Sequence, residues 1–175
     1  MKEIIAAFDK YLGLQSLRFE AVVIGGGALI IMDIIDRKTK DIDCLDPEIP
    51  LEIKQASVAF AKSHSEFLLD ENWLNNGPES LKRELPAGWQ IRLQTLYTGE
   101  SIQLTCLGRS DLLRSKLFAY CDRTNHDFSD LLLMKPTVQE LAVSIDWVKA
   151  RDGNQAWPAL VELAFTVLKK ALKYE

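Results

Sequence analysis

Residues 21–47, AVVIGGGALIIMDIIDRKTKDIDCLDP, restrict what this chain can fold into more than any other stretch. An apolar run, Ala21 to Ile24, ends in Gly25, Gly26 and Gly27. A helix-compatible segment, Ala28 to Ile35, follows, and the basic turn Arg37-Lys38-Thr39-Lys40 then delivers Asp41-Ile42-Asp43 at the start of a second short strand. Side chains alternate across a strand, so this spacing predicts Asp41 and Asp43 on one face and Ile42 on the other, toward a core. Two carboxylates about 5–6 Å apart repel by roughly 3 kcal/mol at an effective dielectric near 20. A divalent cation between them removes that cost. Mg²⁺ suits such a platform, because it prefers one or two carboxylates and takes the rest of its shell from water and substrate phosphates. The glycines complement it: without Cβ atoms the backbone can approach phosphates closely, and the N–H groups that open a helix point at the anion.

Simpler readings compete with each part. Glycine turns after strands are common, and a D-I-D triplet alone is an ordinary solvated edge strand. A dinucleotide fingerprint, G-x-G-x-x-G, would require glycine where the chain has Ile30. Two alternating acids behind Arg37-x-Thr39 are also more than a ribose contact needs.

Taken together, G-G-x-A-L at Gly25 to Leu29 and R-x-T-x-D-I-D at Arg37 to Asp43 resemble the nucleotidyltransferase superfamily, the palm-like fold shared by DNA polymerase β and the small nucleotidyltransferases. The resemblance implies that Gly25 and Gly26 hold a nucleoside triphosphate and that Asp41 and Asp43 bind Mg²⁺. Arg37 and Thr39 would be phosphate or turn-stabilising contacts. A second segment, D-L-x-x-x-K-L-x-A-x-x-x-R followed by H-D-x-x-D-L, matches at Asp111, Lys116, Ala119, Arg123, Asp127 and Asp130. It is similar to small nucleotidyltransferase-like proteins of abortive-infection and toxin–antitoxin systems, which implies that Lys116 meets the triphosphate. From the residues themselves, Lys116 is equally a snorkelling lysine on an amphipathic boundary, and Arg123, Asp127 and Asp130 are equally an ion-pair cluster joining two helices. His126 with Asp127 and Asp130 is too small a set to be read as a metal site.

Catalytic members of the superfamily usually carry a third carboxylate on a strand beside the D-x-D strand. In this chain the expected neighbour is a hairpin, Trp89 to Tyr97 paired with Ser101 to Leu107 around Thr98-Gly99-Glu100. Its polar face offers Gln90, Arg92, Gln94 and Gln103, without an acid. The alternative to an enzyme is therefore a catalytically impaired nucleotide- or protein-binding module, such as one partner of a toxin–antitoxin pair.

With 175 residues, 47% of them hydrophobic, the chain can bury a real core. A net charge of −4 does not advertise nucleic acid as a partner. Cys44, Cys106 and Cys121 have neither a disulfide nor a zinc spacing and read as buried thiols of a cytoplasmic protein. No secretory leader is apparent and no segment has about 18 consecutive apolar residues, so no membrane partner is expected.

Elsewhere the pattern predicts a helix over residues 2–12 with Ile4, Ile5, Phe8, Tyr11 and Leu12 on one face, a strand over Phe19 to Ile24, and a helix over Leu51 to Ser65. Trp73 reads as a core plug and His64 as a cap or surface residue. A short helix follows Pro78. Further helices cover Ser110 to Cys121, a stretch opened by the capping box Thr137-x-x-Glu140, and a last one beginning at Pro158. The last helix carries Leu160, Leu163, Ala164, Val167, Leu168, Ala171 and Leu172 as a broad apolar stripe, packed on the domain or docked on a partner or second copy.

The expected fold is thus α/β (α+β): a small mixed sheet covered by helices over residues 1–135, with a C-terminal helical extension over 136–175. The expected activity is Mg²⁺-dependent transfer of a nucleoside monophosphate from an NTP to an acceptor, which is RNA, protein or a small molecule. Asp41, Asp43 and Lys116 would be its catalytic residues.

Overall fold

The computed structural model describes residues 1–35, 40–77, 79–123 and 126–174, with Glu79, Ser80 and Arg123 described by backbone alone. Packing divides the chain after Gly108. Residues 1–83 and 87–108 form one unit, and residues 84–86 and 109–175 form the other. This division differs from the one at 135/136, and the reason lies in Arg109, whose guanidinium binds the Met134 carbonyl at 3.0 Å and the Glu140 carboxylate at 2.7 Å. The segment after the sheet is thereby tied to the C-terminal helices.

The first unit contains a five-stranded mixed sheet built from β1 (Phe19–Ile24), β2 (Ile42–Asp46), β3 (Leu74–Asn76), β4 (Gln94–Thr98) and β5 (Ile102–Cys106), in the order β3-β2-β1-β5-β4. β1 is central and apolar at nearly every position because it is flanked on both edges, antiparallel by β2 and parallel by β5. Helices α1 (Lys2–Leu14) and α3 (Leu51–Ser63) cover one face, where Phe8 and Leu12 meet Ala21, Val23, Phe60 and Trp73. Trp73 is the plug of this core: its ring is edge-on to Phe8, with centroids 5.2 Å apart, and its Nε1–H donates to the Ser57 carbonyl at 3.1 Å. His64 caps α3 and stacks on Phe60 at 4.2 Å.

A buried acid fastens α1 to the β4–β5 hairpin. Asp9 accepts the N–H groups of Glu100, Ser101 and Ile102 at 3.2, 2.9 and 2.7 Å. Gly99 is obligatory above it, since a Cβ there would lie 2.3 Å from an Asp9 oxygen.

Three local expectations give way to tertiary structure. Residues Trp89–Arg92 form a 3₁₀ turn, not the start of a strand, so β4 begins only at Gln94 and Ile91 is left 88% exposed. The cause is local: Gly88 enters the turn at φ +75°, the Arg92 side chain returns to the Ala87 carbonyl at 3.1 Å, and Gly108 passes tightly against the Arg92 carbonyl. Helix α2 runs over Gly25–Ile31, earlier than its apolar residues indicate, so the glycines are its first turn and not a loop before it. β3 comes from an asparagine-rich stretch that lacks strand propensity. It forms because β2 receives it, with Ile42 N–H bonded to the Trp73 carbonyl at 2.6 Å and Gly77 N–H to the Cys44 carbonyl at 2.8 Å.

The second unit is helical: α5 (Arg109–Arg123), α6 (Asp127–Met134), α7 (Val138–Lys149) and α8 (Trp157–Ala171); α4 (Glu79–Glu84) belongs to the first unit up to Arg83. Thr137 and Glu140 form the predicted capping box at α7. Of the predicted stripe on α8 only Leu168 is buried: the packed face is Trp157, Val161, Phe165 and Leu168, whereas Leu160, Leu163 and Val167 face outward. Among the described residues, no helix is long and apolar enough to cross a membrane.

Candidate active site

The end of β1, the first turn of α2 and the start of β2 meet at one point. Ile24 lies opposite Asp43 in the β1–β2 pairing. The next residue, Gly25, takes φ +73°, a conformation in which an L side chain is strained. A Cβ at Gly25 would lie 2.5 Å from Asp43 Oδ2, so the carboxylate rests directly on bare backbone. From the other side Gly77 closes in, its would-be Cβ 3.4 Å from Asp43 Cβ and 3.0 Å from Ile24 Cδ1. Asp43 is half-buried between two glycines, while Ile42 is turned into the core. Asp41 precedes the strand and is exposed, and its carbonyl lies so close to Gly27 that a Cβ there would be 2.8 Å away. Of the glycines assigned to phosphate, Gly25 is accessible and Gly26 is buried. Arg37 and Thr39 lie outside the described residues.

The Asp43 carboxylate, pressed onto a Cβ-free backbone, is an oxygen donor that would leave most of a Mg²⁺ shell to water and phosphate oxygens, whereas Asp41 lies before the strand and is exposed. Among the described residues no cluster of three His, Cys, Asp or Glu side chains could hold a metal ion without such help.

The strands beside β2 are β1 and β3, whereas the hairpin β4–β5 lies beyond β1. Gln90, Arg92, Gln94 and Gln103 are therefore not the neighbours of Asp43. Those neighbours are Ile24 on one side and Asn75 on the other, so both flanking positions lack a carboxylate.

A further acid reaches the same face by a route that the alternation of side chains hides. Strict period 2 would turn Asp46 to the side opposite Asp43. The register instead slips between Val22 and Val23, pairing Val22 with Asp46 and Val23 with Cys44. Leu45 is the extra residue of a β-bulge, a device that re-aims a side chain. Asp46 then shares a face with Val22 and Ile24, and Lys82 of α4 donates to its Oδ1. A pocket of about 370 Å³ opens beside this pair, lined by Leu45, Glu48, Asn76, Gly77 and Lys82. Gly77 belongs both to this pocket and to the wall of Asp43. The only sequence signal for this arrangement was the Asn76-Gly77 step, which reads simply as a chain breaker.

Lys116 lies in the second unit, where its side chain is 8% exposed and its ammonium binds Asp127 at 2.8 Å and Asp130 at 2.7 Å. These bonds join α5 to α6. Burial, and then the charge of Asp43, push the Cys44 thiol pKa up to about 12, while burial raises Cys106 to about 11 and Cys121 to about 12.

A helix-covered mixed sheet, with a left-handed glycine opening a helix against the acid of the adjacent strand, defines a protein of the nucleotidyltransferase-like α/β class. The chain belongs to the family described as nucleotidyltransferase of unknown function (DUF6036), whose model matches residues 1–152. No curated protein and no solved structure matches it significantly.

Proposed function

We propose that the protein transfers a nucleoside monophosphate from an NTP to a hydroxyl acceptor with the help of Mg²⁺. The observation that carries this reading is the Asp43 carboxylate lying on the backbone of Gly25. A triphosphate brought to that glycine would meet a carboxylate, and two anions share such a point only when a cation joins them. Asp41 and Asp43 would hold Mg²⁺, which when bound offsets charge on the phosphates. The N–H groups at Gly25 and Gly26 would orient the triphosphate. The acceptor oxygen attacks the α-phosphorus, the bond to the bridging oxygen breaks, and pyrophosphate departs with the electron pair. Lys116, bound to Asp127 and Asp130 within the second unit, joins α5 to α6 and is given no step here.

A second reading, a nucleotide- or protein-binding module without turnover, such as a toxin–antitoxin partner, rests on Ile24 and Asn75 flanking Asp43 where a carboxylate would complete a two-metal site. Calorimetry with Mg²⁺ and each of the four NTPs, on the wild type and on Asp43→Asn, tests both. Metal-dependent NTP binding that Asp43→Asn abolishes, together with pyrophosphate release, supports transfer. Binding without release supports the module. If the wild type binds no NTP with Mg²⁺, both nucleotide readings fail.

A further inference from the structure

We infer that the pocket bounded by Leu45, Glu48, Asn76, Gly77 and Lys82 receives the acceptor, and that the acceptor is a small, uncharged or cationic polyhydroxyl compound rather than the end of a nucleic acid. The inference rests on the transferase reading for the role of the site, but the pocket and its chemistry stand on their own geometry.

Position comes first. The pocket begins where the Asp43 wall ends, because Gly77 contributes to both. A residue with a Cβ at 77 would press on Ile24 and Asp43, so the glycine keeps the two spaces adjoining. A molecule seated here lies beside the point where the phosphates would rest, as an acceptor must.

Size comes second. A volume of about 370 Å³ lies within the ~300–1,000 Å³ usual for small-molecule clefts.

Charge decides the class. Among the described residues Lys82 is the one cation of the wall, and Asp46 already neutralises it. Glu48 adds a carboxylate that forms no ion pair or hydrogen bond among the described residues and faces water. The amide of Asn76 is spent on the chain, its Oδ1 accepting from Ile49 N–H at 3.1 Å and its Nδ2 donating to the Pro47 carbonyl at 3.2 Å. The pocket therefore offers an incoming ligand acceptor oxygens and one balanced Lys–Asp pair. Among the described residues it offers no uncompensated positive charge. Phosphodiesters need such charge, whereas hydroxyl and ammonium groups donate to carboxylates. In the reaction the acceptor hydroxyl loses its proton to solvent or to the Asp46 carboxylate as its oxygen bonds to the α-phosphorus.

The test is amide NMR of the full chain, titrated with glucosamine and, separately, with an RNA trinucleotide bearing a free 3′-hydroxyl. Saturable shifts at Leu45, Gly77 and Lys82 with glucosamine, weakened at least tenfold in Glu48→Gln but not in Lys82→Met, which frees the Asp46 carboxylate, are expected, with none at these residues from the RNA. No saturable shift at Gly77 with glucosamine, or shifts there from the RNA alone, overturns the inference. Titration with Mg²⁺ and ATP separates the two proposals. ATP shifts at Gly25 that Lys82→Met preserves, without glucosamine binding, leave the transferase reading standing and remove this one. Glucosamine binding without any ATP shift removes the transferase reading and leaves the pocket a hydroxyl-ligand site.

Discussion

Asp43 and Gly25 are packed so closely that the carboxylate occupies the space a side chain at 25 would need, 2.5 Å from the position of its first carbon. One residue supplies the charge, and the other supplies the absence that makes room for it. No side chain could be added at 25 without moving Asp43.

Replacing Gly25 by alanine tests this pairing twice over. The left-handed backbone costs about 1 kcal/mol for an L residue, and the Cβ must also displace the acid. A loss of roughly 2 kcal/mol is expected, which is a fall in Tm of about 4–8 °C for a chain of this length. Mg²⁺-dependent NTP binding should weaken at least as much as in Asp43→Asn, read by thermal melting and calorimetry on the same samples. An alanine variant that melts like the wild type and binds NTP equally well would show that the contact carries neither stability nor function.

Asp9 should be the most sensitive acid in the first unit. Three N–H groups of the β4–β5 turn converge on it. Asp9→Ala leaves them without their charged acceptor, at an expected cost of about 3 kcal/mol. Asp9→Asn, which keeps one acceptor oxygen, should recover part of it. Urea unfolding of both variants gives the comparison.

Lys116→Met separates a scaffold lysine from a phosphate ligand. Removing the ammonium leaves Asp127 and the deeply buried Asp130 without it, and breaking such a buried pair costs about 3–5 kcal/mol. A strong loss of stability is expected, with NTP affinity retained at temperatures well below the new midpoint. Lost affinity in a variant as stable as the wild type would instead move Lys116 to the phosphates.

Acid should loosen the second unit through Glu140. Its carboxyl is held below the usual value of 4.5, first by the hydrogen bond from Arg109 and further by Thr137. A carboxylate whose pKa falls on folding contributes stability that is fully present above its unfolded value. That stability is lost as the pH drops through the lowered folded one. Tm should therefore fall below about pH 4.5, and Glu140→Gln should melt lower at neutral pH with a flatter acid limb. Equal slopes for the two proteins between pH 3 and 5 (roughly the range of carboxyl titration) would exclude this coupling.

Local rules carried a good part of the fold. α1, β1, α3 and the α7 capping box follow from apolar period and capping chemistry. Each is decided by residues close in sequence. The same rules failed at Trp89–Arg92, where Gly88 and the return of Arg92 to its own backbone overrode an alternating pattern. They failed on α8 as well, since apolar residues filled more of the helix than one neighbouring surface could cover.

The sequence by itself determined that a glycine turn and the acid-bearing strand after it would form one strand–helix–strand unit, because that relation is set within 23 residues by apolar patterning and the missing Cβ of glycine. Only tertiary structure decided who surrounds them. Asn75 and Gly77 came beside Asp43 because β2 recruited a strand that had no propensity of its own. The bulge at Leu45 turned Asp46 to meet Lys82. Lys116 was claimed by Asp127 and Asp130. In each case the outcome depended on which distant groups could satisfy a backbone bond or a charge once the chain had closed, and no local spacing records that.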